Sequence, residues 1–170
     1  MTPAFVDAKK RKARGGAGRR FDPSKHPRGG NGQFVSTGAL LREAAGKAGQ
    51  NTVNHVVFAS VRRPAELSKL VGEEVRGFKH AASNQAMAHV ISQHGNAKIE
   101  KARGQKAIGA DDFAKLPAIV RAGTYHPVKQ RAFGPLRVEI VSRVDGDEYH
   151  YIAEIRRKKR RLDLVTMWKR

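Results

Sequence analysis

The feature that most constrains the fold of this chain is a change of hydrophobic period after residue 135. The segment LRVEIVSRV alternates apolar and polar residues, and Asp145-Gly146 then supplies a strong signal for a tight hairpin turn. The next segment, DEYHYIAEIR, alternates again, and a second turn within residues 157–160 leads into LDLVTMW. Alternation places successive side chains on opposite faces of a strand. We therefore predict three consecutive antiparallel strands, a β-meander, at the end of the chain.

Short turns would fix how the strands of this meander pair. Two rows then share an apolar face: Ile140, Tyr151 and Thr166, and Leu136, Ile155 and Leu162. Two rows share the opposite face: Arg137, Glu154 and Asp163, and Val141, His150 and Met167. A slip of one residue would exchange the two faces, so the pattern alone does not decide which face carries a functional site.

Helical periodicity dominates the region before the meander. A short strand is predicted at residues 53–61, and PAELSKLVGEEV begins a helix with proline in its first turn. Residues 83–93 carry an apolar helical stripe that Gly95 ends, and residues 110–122 carry another that Pro117 can split. Residues 98–106 are polar and predict a loop. The sequence thus indicates an α+β fold, with the N-terminal helices packed on one face of a small antiparallel sheet.

The first 52 residues differ in composition from the rest. They are rich in Gly, Pro and basic residues, as in KKRKARGGAGRR, and lack apolar periodicity over most of their length. Such a segment cannot bury enough surface to offset the entropy of ordering it. We therefore predict a disordered basic arm at residues 1–52, in which residues 40–49 are the one candidate for a short helix, and a folded domain at residues 53–170.

Charge is the strongest indication of a partner. Lys and Arg total 34 against 15 Asp and Glu, which gives a net charge of +19. This excess predicts a nucleic acid as partner, with an anionic membrane surface as the second choice. The chain has no cysteine, so disulfides, thiolate zinc sites and thiol catalysis are excluded. No apolar run approaches the ~20 residues of a membrane helix, and the N-terminal residues do not form a signal peptide.

Two histidines in QAMAHVISQHGN are candidates for chemistry. His89 and His94 are five residues apart, which is about 140° around a helix, so they do not suit a shared metal ion. We predict neither a metal site nor a cofactor. His89 fits a packing or capping role, whereas His94 ends the helix beside Gly95, where the helix dipole favours a cation and suits a general acid. Metal-free RNA cleavage needs such an acid, a base for the ribose 2′-hydroxyl and cations for the phosphorane, and the sequence contains these residue types.

Three phrases in this order resemble a known group of nucleases. HVISQHG, then IGADDF with LPAIV, then LDLVTMW are similar to phrases of the phage-borne domains of the barnase–EndoU–colicin–RelE (BECR) superfamily, over residues 85–170. In addition, FDPSKHPRGGNGQFV at residues 21–35 resembles a linker phrase of tailed-phage head and packaging proteins. The resemblance implies a phage-encoded, metal-independent endoribonuclease with a toxin-like or host-takeover use. It also implies that His94 and Thr166 are site residues, and His89 matches the first histidine of the family phrase.

Further site candidates surround the predicted sheet. Arg137, Glu139, His150 and Glu154 form a charged group similar to the Glu/Arg/His set of barnase-type enzymes, and among them we favour Glu154 for catalysis and Arg137 for binding. Lys129 and Arg131, with Tyr125 to stack a base, predict a phosphate-contacting loop. A basic turn predicts a nucleic-acid clamp: Arg156, Arg157, Lys158, Lys159, Arg160 and Arg161.

The partner of such a nuclease would be RNA, with tRNA among the candidates, and an immunity protein would be a second partner. A non-enzymatic virion protein is the alternative, in which the same basic surface binds packaged DNA or a phage head protein. Both hypotheses place the protein in the host cytoplasm or in the virion. Cleavage of RNA in the presence of EDTA separates them.

Overall fold

A computed structural model describes residues 36–47, 53–129 and 134–170 of the chain. Most of the predicted basic arm, the phrase at residues 21–35 and Arg131 lie outside these residues. The helices are α1 (Thr37–Gly46), α2 (Pro64–Val71), α3 (Asn84–His94), α4 (Ala97–Ala102), α5 (Ala110–Ala114) and α6 (Leu116–Ala122). The strands are β1 (His55–Ser60), β2 (Lys79–Ser83), β3 (Thr124–Pro127), β4 (Arg137–Val144), β5 (Asp147–Arg156) and β6 (Arg161–Lys169).

The described strands form one six-stranded sheet in the order β1-β2-β6-β5-β4-β3. All neighbouring pairs are antiparallel except β2 and β6, which are parallel. The predicted α+β fold is confirmed, and the predicted meander is β4, β5 and β6. The sheet is larger than predicted because β2 and β3 have only five and four residues, too few for a visible alternation.

Helices α1, α3, α5 and α6 contribute to a hydrophobic core on one face of the sheet. The strands contribute Ile140, Tyr151, Leu162 and Met167 to this core, and all four are fully buried. We call this side of the sheet the core face. Helix α6 packs against β4, while α3 packs along β6 where that strand extends beyond its short pairing with β2. This placement of α3 brings its C-terminal end next to the last residues of β6.

A folded segment begins earlier than the predicted boundary at residue 53. The Ser36 side chain accepts a hydrogen bond from the Ala39 amide and caps α1, and Leu41 in that helix is fully buried. Helix α1 packs against α5. Helix α1 overlaps residues 40–49, the segment that the sequence offered as a candidate for a short helix.

Two other helix predictions have different outcomes. The predicted split at Pro117 is confirmed, since α5 ends at Ala114 and α6 begins at Leu116. The predicted loop at residues 98–106 is wrong over its first half, which forms α4. Asn96 caps this helix, because its side-chain oxygen accepts hydrogen bonds from the amides of Lys98 and Ile99.

The predicted pairing is correct for β4 with β5, where Arg137 lies opposite Glu154 and Val141 opposite His150. It is also correct at the start of β6, where Asp163 lies opposite Glu154.

A β-bulge then changes the register of β6. Between the pairs Ala153–Leu164 and Ile152–Thr166, β6 contains one extra residue, Val165. The prediction that Thr166 shares the apolar face with Tyr151 is therefore wrong. Met167 lies opposite Tyr151 on the core face, and Thr166 lies on the other face.

Candidate active site

The face of the sheet opposite the core carries several cross-strand rows of polar and charged side chains among the described strands, and we call it the charged face. Directly opposed residues of antiparallel strands project to the same side of a sheet. The rows follow from the pairing: Thr124, Val141, His150 and Trp168; His126, Glu139, Ile152 and Thr166; and Arg137, Glu154 and Asp163. The bulge in β6 therefore brings Thr166 and Trp168 to the same face as Glu139 and His150.

Glu139 and His150 form a hydrogen-bonded pair on the two central strands of this face. Oε1 of Glu139 lies 2.8 Å from Nδ1 of His150, and Oε1 of Glu148 lies 3.4 Å from Nε2 of the same ring. The side chains of His150 and Glu139 are 13% and 22% exposed, so both are partly shielded but reachable. A carboxylate and an imidazole within hydrogen-bonding distance can exchange protons with a bound substrate.

Trp168 separates this pair from a second histidine. The ring of His150 stacks on that of Trp168 at 4.9 Å between centroids and an interplanar angle of 6°. The ring of His94, at the end of α3, lies 6.2 Å from the same indole. Nδ1 of His94 lies 3.1 Å from Oε2 of Glu100. Two histidine–carboxylate pairs therefore contact one tryptophan at the edge of the charged face.

Glu154 lies in a network of alternating charges. Its carboxylate is 2.8 Å from Arg156 and 3.6 Å from Arg137. Asp163, directly opposite on β6, is 2.9 Å from Arg161 and 3.9 Å from Arg156. Glu154 is nearly buried and already occupied by arginines, so the structure favours a role in ordering these side chains over a role as a free base.

A groove of about 570 Å³ extends from this network toward β1 and α3. His89 and Glu154 line it together with His55, Lys159 and Asp163. Burial, and then the nearby Arg161, lower the pKa of His55 below its ordinary value. The groove thus brings His89 and Glu154 together, whereas His94 lies at the other end of α3 beside Trp168.

The basic turn is less free than its sequence suggests. Arg157 pairs with Glu73. Arg160 adopts a left-handed backbone with φ 49°, donates to the carbonyl of Arg76 at 2.9 Å, and lies over the Phe78 ring. Lys158 and Lys159 are exposed and form no ion pair with any residue that the structure describes. These two lysines are therefore the cations of the turn best able to contact a phosphate.

Tyr125 does not occupy the predicted position for stacking a base. It lies opposite Ile140 on the core face and is 9% exposed. Its hydroxyl donates to the carbonyl of Arg62, and the guanidinium of Arg63 lies over its ring. Burial raises the pKa of this phenol. Lys129 is exposed just after β3, where it can reach a ligand from the edge of the sheet.

The sequence predicts Glu139 and His150 only as members of a charged group, and no pattern in it marks Glu100 or Trp168 as a site residue. The alternation of β4 and β5 contains the signal for the first pair, since it places both residues on the polar face. Glu100 gives no such signal, because its burial depends on how α4 folds back toward α3.

The described residues contain no group of three or more His, Asp or Glu side chains arranged to hold a metal ion. None of their helices is both long enough and apolar enough to cross a membrane.

The chain is similar to a known family of nucleases. The model of a family described as "phage-Barnase-EndoU-ColicinE5/D-RelE like nuclease3" matches residues 58–170. Searches of curated proteins and of solved structures found no match. The matched segment contains β2 to β6 and α2 to α6, and thus Glu139, His150, Thr166 and Trp168 of the charged face.

Proposed function

Because the chain belongs to this phage Barnase–EndoU–ColicinE5/D–RelE-like nuclease family, we propose that it is an endoribonuclease that cleaves RNA without a metal ion. The observation that carries the proposal is the contact of 2.8 Å between Glu139 and His150 in the middle of the charged face. Transesterification of RNA requires a general base and a general acid, and a glutamate and a histidine can take these two roles. The proposal uses no thiol, and the chain contains none.

The reaction assigns one role to each member of the pair. Glu139 removes the proton of a ribose 2′-hydroxyl, and the 2′-oxygen then forms a bond to the adjacent phosphorus. The bond from phosphorus to the 5′-oxygen breaks, and the His150 imidazolium donates a proton to that oxygen. The products are a 2′,3′-cyclic phosphate and a free 5′-hydroxyl.

Neighbouring groups can stabilise the charge that develops on the phosphate. Thr166 lies in the same cross-strand row as Glu139, so its hydroxyl can donate to a phosphate oxygen. Arg137 lies two residues from Glu139 on the same face of β4. Lys129, just after the edge strand β3, and the lysines of the basic turn can bind phosphates on either side of the cleaved bond. His94 contacts the RNA from beyond Trp168.

The family and the charge support a proposal for the biological setting. A basic phage nuclease would act in the host cytoplasm, as a toxin or in host takeover. Its substrate would be RNA, and tRNA is one candidate. An immunity protein would then protect the producing cell. The net charge of +19 also fits a virion protein that binds packaged DNA or a head protein without cleaving anything, and this is the second candidate.

One assay separates the two functions. The purified chain is incubated with single-stranded RNA and EDTA, and the ends of the products are identified. We expect 2′,3′-cyclic phosphate ends from the wild type and none from Glu139→Gln or His150→Ala, while all three proteins bind RNA. Binding without cleavage by the folded wild type would support the virion protein and overturn the nuclease assignment. Cleavage that EDTA abolishes would overturn metal independence.

A further inference from the structure

Helix α4 contains a carboxylate that is fully buried. Glu100 has 0% exposure, although the other residues of this six-residue helix are exposed. A buried carboxylate costs several kcal/mol unless charged or hydrogen-bonding partners compensate it. Oε1 lies 2.8 Å from Arg103, and Oε2 lies 3.1 Å from Nδ1 of His94. The Arg103 side chain is 51% exposed and the His94 side chain 17%, so His94 is the more buried of the two partners of Glu100.

The connection between α3 and α4 is built so that these two side chains meet. The Gly95 amide donates to the Ile91 carbonyl at 2.7 Å, and a Cβ at Gly95 would lie only 2.4 Å from that oxygen. Only Gly95 and Asn96 separate α3 from α4, so the chain changes direction within two residues of His94. The His94 carbonyl accepts a hydrogen bond from the Ile108 amide at 2.7 Å, which fixes the backbone of the histidine from the other side.

We infer that Glu100 is a positioning residue that fixes the tautomer and orientation of the His94 imidazole for contact with RNA. A carboxylate can only accept, so Nδ1 of His94 must carry the proton of this hydrogen bond. In the neutral ring, Nε2 is then unprotonated and is the ring nitrogen available to accept a hydrogen bond from the RNA. This inference rests on the proposed function, because it gives His94 a role at the ribonuclease site.

The arrangement connects Glu100 to the charged face through ring contacts. His94 lies against Trp168, and Trp168 stacks on His150. The His94 ring is held by its hydrogen bond to Glu100 at one edge and by the Trp168 indole beside it, so it has little freedom to rotate. Loss of such positioning costs between about 10-fold and 100-fold in rate, because misplacement of a reacting group by about 1 Å has effects of this size.

The test combines NMR with kinetics on the full chain. Glu100→Met keeps the volume but removes the acceptor, Glu100→Gln keeps an acceptor, and Arg103→Ala removes the other partner of Glu100. Long-range ¹H–¹⁵N spectra report which His94 nitrogen carries the proton, and cleavage of single-stranded RNA in EDTA gives kcat and KM. Thermal unfolding confirms that each variant is folded.

We expect the wild type to carry the His94 proton on Nδ1, and Glu100→Met to show a mixture of both tautomers. Glu100→Met should lower kcat at least tenfold with KM changed less than about twofold, and Glu100→Gln should restore both the tautomer and most of kcat. Arg103→Ala should keep the Nδ1 tautomer and the wild-type kcat, although it lowers the unfolding temperature because Glu100 loses one of its two charged partners. Unchanged kcat in Glu100→Met, or an equal loss in Arg103→Ala, would overturn the inference. A wild type that does not cleave RNA would overturn the proposed function instead, while the spectra would still show whether Glu100 fixes His94.

Discussion

Glu139 and His150 are diagonal neighbours on two antiparallel strands, with Oε1 of the glutamate 2.8 Å from Nδ1 of the histidine. Glu139 lies directly opposite Ile152, and His150 lies directly opposite Val141. The pair therefore depends on the register of β4 and β5 rather than on a loop. Strands hold side chains more firmly than loops do, which suits a site where a base and an acid must keep a fixed distance.

The first prediction concerns this pair. Glu139→Gln and His150→Ala should each lower kcat for RNA cleavage by about 10² to 10⁴-fold, the range in which general acid–base groups contribute. The double variant should lower kcat little more than either single variant does, because the two residues act as a unit. Single-turnover cleavage of a labelled RNA measures the effect.

Glu66→Gln is the matched control for this prediction. Glu66 is an exposed residue of α2 that pairs with Arg63 outside the rows of the charged face. The Glu66→Gln variant should cleave RNA at the wild-type rate. A loss of the same size in Glu66→Gln, or full activity in His150→Ala, would count against the assigned roles.

The second prediction concerns Thr166, which the bulge turns toward the charged face. Thr166→Val keeps the shape of the side chain but removes the hydroxyl, and it should lower kcat by about 100-fold if the hydroxyl donates to the phosphate. Thr166→Ser keeps the donor and should retain most of the activity. Equal activity of the valine and serine variants would show that the hydroxyl does not contact the substrate.

Thr166 also shows how much of the site the sequence could predict. Alternation and the Asp145-Gly146 turn gave the correct pairing of β4 with β5, so the charged row of Arg137 and Glu154 was foreseen. The extra residue Val165 leaves no mark in the alternation. Its insertion exchanges the faces of Thr166 and Met167, because side chains in a strand repeat every two residues.

Tertiary contacts explain the other differences. Tyr125 is adjacent to polar residues in the sequence, but four residues of strand pairing turn it toward the core opposite Ile140. The burial of Glu100 depends on the turn at Gly95 and on a contact with His94. Local sequence encodes the helices and strands, whereas these positions depend on how the elements pack, which a single sequence does not encode locally.

The third prediction separates the residues of the basic turn that are free to bind RNA from the arginine that contacts the rest of the protein. Lys158→Ala with Lys159→Ala should weaken RNA binding and reduce the slope of log K against log salt by about 0.7 for each lysine that contacts a phosphate. Arg160→Gly keeps the left-handed backbone at this position but removes the contact with the Arg76 carbonyl. It should lower stability by about 1 kcal/mol and leave the salt slope near the wild-type value.

Fluorescence anisotropy at several salt concentrations measures the slope, and urea unfolding measures the stability. A smaller slope in Arg160→Gly than in the double lysine variant would show that Arg160 binds phosphate and that its contact with Arg76 is secondary.

The fourth prediction concerns a histidine away from the proposed site. His80 on β2 is fully buried, and neither of its ring nitrogens has a hydrogen-bond partner among the described residues. Its ring lies 5.9 Å from those of Phe58 and Tyr151. Burial lowers the pKa of His80 from 6.5 to about 3. The folded chain therefore keeps this ring neutral at a pH where the unfolded chain protonates it.

The sign of the pH dependence follows from this difference. Below pH 6.5 the unfolded state binds one more proton than the folded state, so stability falls as the pH decreases from about 6.5 toward 3. The slope from this group approaches about 1.4 kcal/mol per pH unit. His80→Phe removes the titrating ring and should remove this part of the slope, whereas Tyr151→Phe, which changes the neighbouring ring, should retain it. Urea unfolding at pH 7, 6 and 5 gives the free energies. The same slope in His80→Phe as in the wild type would show that His80 is not the group that couples folding to acid.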